Sequence, residues 1–249
     1  MKQPKIRLDQ LMVMRGLALS RTQARGLIMS GQVSADGRRL DKAGQPVTED
    51  IQLYVKDQPR FVSRAGDKLA SVAERCGLDV AGNIVLDVGS STGGFTDFVL
   101  QHGAAQVYAV DVGTNQLAYK LRQDPRVRVM EQTDIRDVVV GEGPKGLPEP
   151  ADVAVMDVSF VSLTKVLEAT RGLVKPGGKI LAMAKPQFEA GKALADRYHG
   201  VIPLGAERDA VLDDVRRWCG EHGLVVLAEA DSGLAGTEGN VEHFFMLET

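Results

Sequence analysis

Two lysines and two carboxylates, spread over four distant segments, are the residues of this sequence best suited to chemistry. Asp157 and Lys185 each come directly after an apolar segment, and Glu242 comes just before one. Lys68 lies in the first turn of a segment predicted to be helical. An amine beside a carboxylate can orient a hydroxyl group and accept or steer its proton. The four residues therefore indicate proton-transfer or orienting chemistry, if the fold brings their segments together.

A glycine-rich turn after the apolar segment 84–88 forms a second candidate site. A dinucleotide fingerprint needs glycine at its first, third and sixth positions, but the third position counted from Gly89 is Ser91, which disfavours NAD. S-adenosylmethionine has no pyrophosphate and fits this turn better. Asp111 ends the next predicted strand, where it could accept both ribose hydroxyls, and Asp134 could reach the adenine amine. The predicted cofactor residues are Asp87, Gly89, Ser91, Thr92, Gly93, Gly94, Phe95, Asp111 and Asp134.

Strands and helices alternate after residue 62, which is typical of a mostly parallel sheet covered on both faces. The Pro- and Gly-containing segments 141–150 and 186–205 are predicted loops. The predicted strands are 84–88, 106–111, 127–130, 151–156, 179–184, 224–230 and 243–247. The predicted helices are 66–76, 93–102, 115–122, 160–172 and 206–222.

The order of these elements predicts where the candidate residues lie. Parallel strands place their carboxyl ends along one edge of the sheet, where ligands bind. The short connection 231–242 predicts an antiparallel last strand, so Glu242 returns to that edge. The predicted fold class is α/β, a Rossmann-like class I methyltransferase with a seven-stranded mostly parallel sheet, plus a small N-terminal α+β domain.

The N-terminal segment is basic, whereas the rest of the chain is acidic. Residues 1–62 carry a net charge of +5 and residues 63–249 a net charge of −8. Two short helices, at 6–17 and from Ser20 to Gly31, precede a hairpin with the turn Asp36-Gly37. Such a basic unit indicates a polyanionic partner, most often nucleic acid, although surface arginines are also commonly only solvated. The candidate contacts are Arg7, Arg15, Arg21, Arg25, Arg38 and Arg39.

Composition excludes several classes of protein. With 249 residues, 44% hydrophobic and 25% charged, the chain is neither disordered nor collagen-like. It has no apolar run of membrane-spanning length and no secretory leader, so we expect a cytoplasmic protein without a membrane partner. Cys76 and Cys219 lack metal-ligand spacing, which predicts reduced buried thiols and no metal site.

Four phrases of the sequence contain or adjoin candidate site residues: Val62-Ser63-Arg64-Ala65-Gly66-Asp67-Lys68-Leu69, Ser91-Thr92-Gly93-Gly94-Phe95-Thr96, Lys185-Pro186-Gln187-Phe188-Glu189 and Gly239-Asn240-Val241-Glu242-His243-Phe244. Together with the Lys-Asp-Lys-Glu set, these phrases make the sequence similar to the TlyA family along essentially the whole chain. The two N-terminal helices and the hairpin resemble the S-four RNA-binding domain.

The resemblance implies an S-four-like head at 1–59, a linker at 60–63 and an FtsJ-like methyltransferase domain, the body, at 64–249. It also implies methylation of cytidine ribose 2′-hydroxyls in small- and large-subunit ribosomal RNA, with ribosomal RNA or subunits as partners.

On this hypothesis Lys185 aligns the hydroxyl and removes or steers its proton, as a neutral amine or as an orienting cation. Asp157 and Glu242 position the two lysines and balance their charge. The phrase Asp157-Val158-Ser159-Phe160 also loosely fits a methyltransferase that acts on a nucleobase amine, although it lacks the usual prolines. A membrane-lytic protein of the haemolysin type and an inactive RNA-binding module are further alternatives.

Overall fold

The computed structural model describes residues 4–18, 20–56, 59–236 and 238–249. Its N-terminal unit has a core of its own, in which Leu8 and Met12 of the first helix pack against Ala24 and Ile28 of the second. The second helix begins at the N-cap Ser20, whose side chain accepts a hydrogen bond from the Gln23 backbone. The elements are β1 (Lys5–Arg7), α1 (Leu8–Met14), α2 (Arg21–Met29), β2 (Val33–Ala35), β3 (Arg38–Arg39), β4 (Pro46–Thr48) and β5 (Leu53–Val55).

The predicted hairpin is confirmed. Asp36 and Gly37 have φ angles of 49° and 74°, the pair of positive values that a tight two-residue turn between antiparallel strands requires. Strand β2 pairs with β3 across this turn and with β5 on its other side. Strand β1 pairs with β4. The hairpin therefore carries Arg38 and Arg39 out to the surface of the head.

The rest of the chain folds around a seven-stranded sheet. The strand order is β13-β14-β12-β11-β6-β7-β8, and β14 alone runs opposite to the other six strands of this sheet. The predicted α/β class with a seven-stranded, mostly parallel sheet is confirmed. The elements are α3 (Arg64–Val72), β6 (Ile84–Val88), α4 (Gly94–Gln101), β7 (Gln106–Val110), α5 (Tyr119–Arg122), β8 (Val127–Met130), a 3-10 helix (Ile135–Asp137), β9 (Val139–Val140), β10 (Gly146–Leu147), β11 (Ala151–Met156), α6 (Thr164–Arg171), β12 (Val174–Ala184), α7 (Pro186–Glu189), α8 (Gly191–Arg197), α9 (Ala206–Glu221), β13 (Val225–Asp231) and β14 (His243–Glu248).

The sheet is buried on both faces. Side chains alternate between two apolar clusters, so that Phe244 packs on the side of α3 and α4 and Phe245 on the side of α6 and α9. Strand β6 lies at the centre, between β7 and β11, where the order of the strands reverses direction. Ligands of open α/β sheets bind at this switch point, beyond the carboxyl ends of the strands.

Several predicted segments differ from the structure: the first predicted helix, 6–17, is the strand β1 followed by α1, the predicted helices 66–76 and 160–172 are shorter as α3 and α6, and the predicted strand 179–184 begins earlier, as β12. The predicted helix 115–122 is helical only from Tyr119, because the Glu131 carboxylate accepts hydrogen bonds from the backbone N–H groups of residues 115, 116 and 117. The predicted loop 186–205 contains α7 and α8, two helices too short to leave a periodic signal. Strand β10 lies in the predicted loop 141–150 and pairs with β9 over two residues.

The predicted linker at 60–63 packs against the body. Phe61 is buried, and its ring lies 5.6 Å from that of Phe98. The Val62 backbone N–H donates to Asp97 Oδ2 at 2.8 Å, and Lys120 forms an ion pair with the same carboxylate at 3.0 Å. The chain thus enters α3, which carries Lys68, from an anchored segment.

Among the described helices, none is both long and apolar enough to cross a bilayer.

Candidate active site

The glycine-rich turn between β6 and α4 is packed tightly against the segment that follows β11. Gly89 has a φ of 83°, and a Cβ atom there would lie 2.4 Å from the carbonyl oxygen of Asp157. Gly93 has a φ of 95°, and its Cβ would lie 2.2 Å from the side chain of Leu121. Both positions therefore need glycine, for backbone conformation and for space.

Replacing Gly89 by alanine tests this packing, with Gly103→Ala as the matched control. Gly103 has a similar φ of 87°, but its nearest neighbour would be 3.7 Å from an added Cβ. We expect Gly103→Ala to lower the free energy of unfolding by about 1 kcal/mol, the cost of the left-handed conformation. Gly89→Ala should lower the free energy of unfolding by about 3 kcal/mol or more, because the Asp157 backbone must move. It should also abolish binding of S-adenosylmethionine, the cofactor predicted from the sequence. Urea unfolding and calorimetric titration measure both; equal losses would contradict the packing argument.

Asp111 holds the turn from the end of β7. Its Oδ2 accepts the Ser91 backbone N–H at 2.8 Å, and its Oδ1 accepts the Gly113 backbone N–H at 2.7 Å. Each carboxylate oxygen has a second acceptor direction, so Asp111 can still accept hydroxyl groups of a ligand. The Gln116 side chain, which was not predicted, accepts a hydrogen bond from Ser91 Oγ at 3.2 Å across this position.

A cavity of about 460 Å³ opens at the carboxyl ends of β6, β7 and β11, a volume suited to a nucleoside-sized ligand. A smaller pocket of about 100 Å³ adjoins it. Gly89, Ser91 and Asp157 line both spaces. Of the other predicted cofactor residues, Asp111 and Asp134 line the large cavity, Thr92, Gly94 and Phe95 line the small one, and Asp87 and Gly93 lie behind the surface of both.

Asp134 lies at the rim of the large cavity and is engaged by an arginine. It begins the 3-10 helix, and its carboxylate accepts from the Arg136 backbone at 3.0 Å and from the Arg136 guanidinium at 2.9 and 2.5 Å. These hydrogen bonds lower the pKa of Asp134 to about 2. Arg136 also lines the cavity, although no motif in the sequence indicated it.

Asp87 is buried beneath the turn. Its Oδ2 accepts from Thr96 Oγ1 at 2.5 Å, whereas its Oδ1 and the buried Oγ of Ser90 have no hydrogen-bond partner among the described residues. Burial raises the pKa of Asp87 to about 7. The unpartnered polar atoms, the glycine cradle and the Asp111 carboxylate together fit a cofactor that joins a nucleoside to a charged amino acid.

The raised pKa of Asp87 predicts a loss of stability with rising pH. The unfolded chain releases this proton near pH 4 and the folded chain near pH 7, so the unfolded state binds fewer protons between these values. The free energy of unfolding should therefore fall by up to about 4 kcal/mol over that interval. Asp87→Asn should remove this component, seen as a pH-dependent difference between the denaturation curves of variant and wild type. A difference that is constant from about pH 4 to pH 8 would contradict the assignment.

Two lysine–carboxylate pairs lie along the same edge of the sheet. Lys185 Nζ is 2.6 Å from Asp157 Oδ1, and Lys68 Nζ donates to Glu242 Oε1 at 2.5 Å. All four side chains are largely buried. Ala184 pairs with His243, so Lys185 and Glu242 are the next residues of the two strands. Val88 pairs with Met156, which places Gly89 beside Asp157.

The phrase around Glu242 also holds its segment in place. The buried Asn240 side chain accepts from the Ile202 backbone at 3.0 Å and donates to the Gly200 carbonyl at 2.7 Å. The His243 ring contacts Asp231 Oδ1 at 2.6 Å and Glu229 Oε2 at 2.9 Å. Sequence reasoning gave neither Asn240 nor His243 a role.

The loop after β11 contributes two further residues. Lys185 Nζ donates to Ser159 Oγ at 2.5 Å, in addition to its ion pair with Asp157. Phe160 has a φ of 64° and is 90% exposed at the rim of the large cavity, with its ring 5.1 Å from that of Phe188. An exposed aromatic side chain in a strained conformation is a functional signal. In the sequence the same phrase had indicated only the nucleobase alternative.

In the head, Arg7, Arg21 and Arg25 converge on one carboxylate, that of Asp9, and we name these three residues the arginine cluster. Arg15 donates to the backbone carbonyls of residues 49 and 51. Arg39 donates to the Met29 carbonyl, and Arg38 is exposed on the hairpin. Three of the six predicted contacts therefore converge on one carboxylate, whereas Arg15 holds a loop of the head itself.

Comparison with known proteins places this geometry in a family. The family model of FtsJ-like methyltransferases matches residues 61–248, and the model of the S4 domain matches residues 6–50. A relative from Mycobacterium tuberculosis, named 16S/23S rRNA (cytidine-2'-O)-methyltransferase TlyA, is 41% identical over 98% of this chain and 90% of its own.

Solved structures agree with this placement. That of a candidate hemolysin from Streptococcus thermophilus is 39% identical, covers 100% of this chain and 90% of its own, and superposes with a TM-score of 0.71. A candidate S-adenosylmethionine dependent methyltransferase from Listeria monocytogenes, 17% identical over 74% of this chain and 99% of its own, shares the fold with a TM-score of 0.53. The chain therefore belongs to the FtsJ-like methyltransferase family and, with its N-terminal S4 domain, to the TlyA proteins within it.

Proposed function

We propose that this chain transfers a methyl group from S-adenosylmethionine to the ribose 2′-hydroxyl of a cytidine in ribosomal RNA. The observation that carries the proposal is the pair of lysine–carboxylate contacts, Lys185 with Asp157 and Lys68 with Glu242, at the sheet edge where a nucleoside-sized cavity opens. The name of the Mycobacterium tuberculosis relative supports the same reaction. A hydroxyl acceptor needs alignment and proton management, which these side chains can provide.

The proposed cofactor site uses the residues around the two cavities. Bound there, S-adenosylmethionine supplies a methyl group activated by its positively charged sulfur. Asp111 would accept hydrogen bonds from the ribose hydroxyls, and Asp134 would accept one from the adenine amine. The glycine turn would receive the methionine part, with the buried polar atoms of Ser90 and Asp87 beneath it.

Lys185 is the proposed catalytic residue. Its Nζ donates to Ser159 Oγ at 2.5 Å and lies 2.6 Å from Asp157 Oδ1, in an ion pair whose geometry is not that of a hydrogen bond. These contacts hold Nζ at the sheet edge and leave it further N–H groups in the cation, or a lone pair in the neutral amine. Through them Lys185 would orient the 2′-hydroxyl, or accept its proton while the oxygen bonds to the methyl group and the bond from that group to sulfur breaks. Lys68 and Glu242 form a charge-balanced pair beside it.

The rim of the cavity supports a nucleotide as the acceptor. Single-stranded or extruded RNA bases stack on aromatic side chains, and Phe160 offers an exposed ring close to the Asp157 loop. The basic head would hold the surrounding RNA through the arginine cluster. Ribosomal subunits in the cytoplasm are therefore the proposed substrates.

Methyl transfer to purified ribosomal subunits tests the proposal. Small and large subunits that lack the modification are incubated with the protein and radiolabelled S-adenosylmethionine, and label in their RNA is counted. We expect label in the RNA of at least one subunit. Cofactor binding without transfer to either subunit would refute a ribosomal substrate. Release of dye from liposomes by the same preparation would favour the membrane-lytic alternative.

A further inference from the structure

Asp9, an acidic residue, lies at the centre of the arginine cluster. It occupies the first turn of α1, and its side chain is fully buried. Its Oδ1 accepts from Arg7 Nε at 3.0 Å, and its Oδ2 accepts from Arg7 Nη2, Arg21 Nη2 and Arg25 Nε at 2.9, 3.2 and 3.4 Å. One carboxylate therefore contacts arginines from two separate elements, the end of β1 and α2.

The three arginines remain available to a partner. Their side chains are 45%, 53% and 54% exposed, and each uses only one or two of its five N–H groups on Asp9. Arg21 and Arg25 are one helical turn apart, so their guanidinium groups lie on the same face of α2. Gly44 has no side chain and so leaves room for the Arg7 guanidinium, because an added Cβ there would lie 3.0 Å from Arg7 Nη1.

The ionised state of Asp9 is secure at neutral pH. Hydrogen bonds from Arg7, followed by those from Arg21, hold the pKa of Asp9 well below its usual range. The three guanidinium groups of the arginine cluster and the Asp9 carboxylate together carry a net charge of +2, which attracts phosphates. A long arginine side chain loses much rotational entropy on binding, unless the protein has already fixed it.

We infer that Asp9 is a positioning residue for RNA: it holds the guanidinium groups of Arg7, Arg21 and Arg25 in one fixed array that receives neighbouring backbone phosphates. The inference rests on the proposed function, because it assumes that the head binds RNA. Charge and positioning predict opposite effects of replacing Asp9 on the affinity for RNA. Removing a negative charge from a surface that faces RNA should strengthen binding by charge alone. Loss of the fixed arginine array should weaken it.

Asp9→Asn tests the sign of this effect in the full-length chain. Asp36→Asn is the matched control, since it makes the same charge change at the exposed hairpin turn, where asparagine tolerates the positive φ of 49°. Affinity for purified small and large ribosomal subunits is measured at several salt concentrations. We expect Asp9→Asn to bind about tenfold more weakly, with a salt dependence lower by about one phosphate contact. Asp36→Asn should bind as tightly as wild type or more tightly.

A variant with Arg7, Arg21 and Arg25 all changed to alanine separates positioning from a merely structural role. In that background Asp9→Asn should no longer weaken binding, because Asp9 acts through the arginines and only the effect of its charge remains. Asp9→Asn binding as tightly as wild type, while the triple variant has lost binding, would overturn the inference alone. A triple variant that binds like wild type would instead overturn the proposed role of the head.

The thermal unfolding of each variant is followed in parallel. Asp9→Asn that is unfolded at the assay temperature would be replaced by Asp9→Glu, which keeps the charge but displaces the carboxylate by one methylene group. The same loss of affinity is expected of Asp9→Glu at unchanged net charge. Binding equal to wild type by folded Asp9→Glu would overturn the inference.

Discussion

Replacing Lys185 by alanine is expected to lower the turnover number by about 10²–10⁴-fold, the usual contribution of a positioned acid or base. Affinity for S-adenosylmethionine should change by less than about twofold, because Lys185 itself lines neither cavity and is not among the residues proposed to hold the cofactor. Single-turnover methyl transfer and calorimetric titration measure the two quantities separately. A large loss of cofactor affinity would show that Lys185 belongs to the binding site instead.

Lys179→Ala is the matched control for this variant. Lys179 lies on the same strand, six residues before Lys185 and about 20 Å from it at the opposite edge of the sheet. The substitution Lys179→Ala makes the same change of charge and side-chain size as Lys185→Ala, but away from the candidate active site. We expect wild-type turnover from Lys179→Ala. Equal losses in the two variants would point to a general effect of charge or stability, and would contradict the catalytic role of Lys185.

Replacing Asp111 by alanine is expected to weaken cofactor binding and to leave turnover nearly unchanged, the opposite of the effect expected of Lys185→Ala. Loss of charge-assisted hydrogen bonds to the two ribose hydroxyls, each worth about 1.5 kcal/mol or more, should weaken cofactor binding about 100-fold. Turnover at saturating cofactor should stay within about threefold of wild type, since Asp111 lies away from the lysines. Calorimetric titration gives the affinity for the cofactor. Methyl transfer at increasing cofactor concentration shows whether turnover returns to the wild-type value.

The control for Asp111 is Asp137→Ala. Asp137 lies at the end of the 3-10 helix, pairs with Lys145 at 2.7 Å and does not line the cavity. It should leave cofactor affinity unchanged. Because Asp111 also holds the Ser91 and Gly113 backbone, thermal unfolding without ligand shows whether the turn itself is lost. Unchanged affinity in Asp111→Ala would contradict the proposed ribose contact.

The sequence predicted the sheet and its edge well because both depend on strong local patterns. Apolar strands followed by Asp157 and Lys185 are readable without tertiary information, and the short connection before β14 indicated its antiparallel direction. Pairing of Ala184 with His243 then follows, so the meeting of Lys185 and Glu242 at one edge was predictable.

Residues that act through tertiary contacts could not be predicted in this way. Glu131 shortens α5 by binding backbone N–H groups fourteen to sixteen positions away, and Glu189 accepts from Ser162 Oγ and the Leu163 backbone across the site. Burial raises the pKa of Glu189. Glu131 does not differ in the sequence from an ordinary surface residue, and Glu189, although it ends one of the quoted phrases, had no predicted role.

The arginines of the head show the same limit. Their number and charge predicted a surface for nucleic acid, but the sequence did not distinguish Arg15, which binds backbone carbonyls, from Arg21 and Arg25, which meet at Asp9. Charge is a property of composition, whereas the direction of a guanidinium group depends on the elements that surround it.

The most direct test of the central claim is to identify the methylated nucleoside. Ribosomal subunits methylated by the wild-type protein are digested to nucleosides and analysed by mass spectrometry, with Lys185→Ala and Lys179→Ala beside it. We expect 2′-O-methylcytidine from wild type and Lys179→Ala, at a backbone position that also resists alkaline cleavage, and at least about a hundredfold less from Lys185→Ala in the same reaction time. A methyl group on the base, with the ribose unmodified, would contradict the central claim.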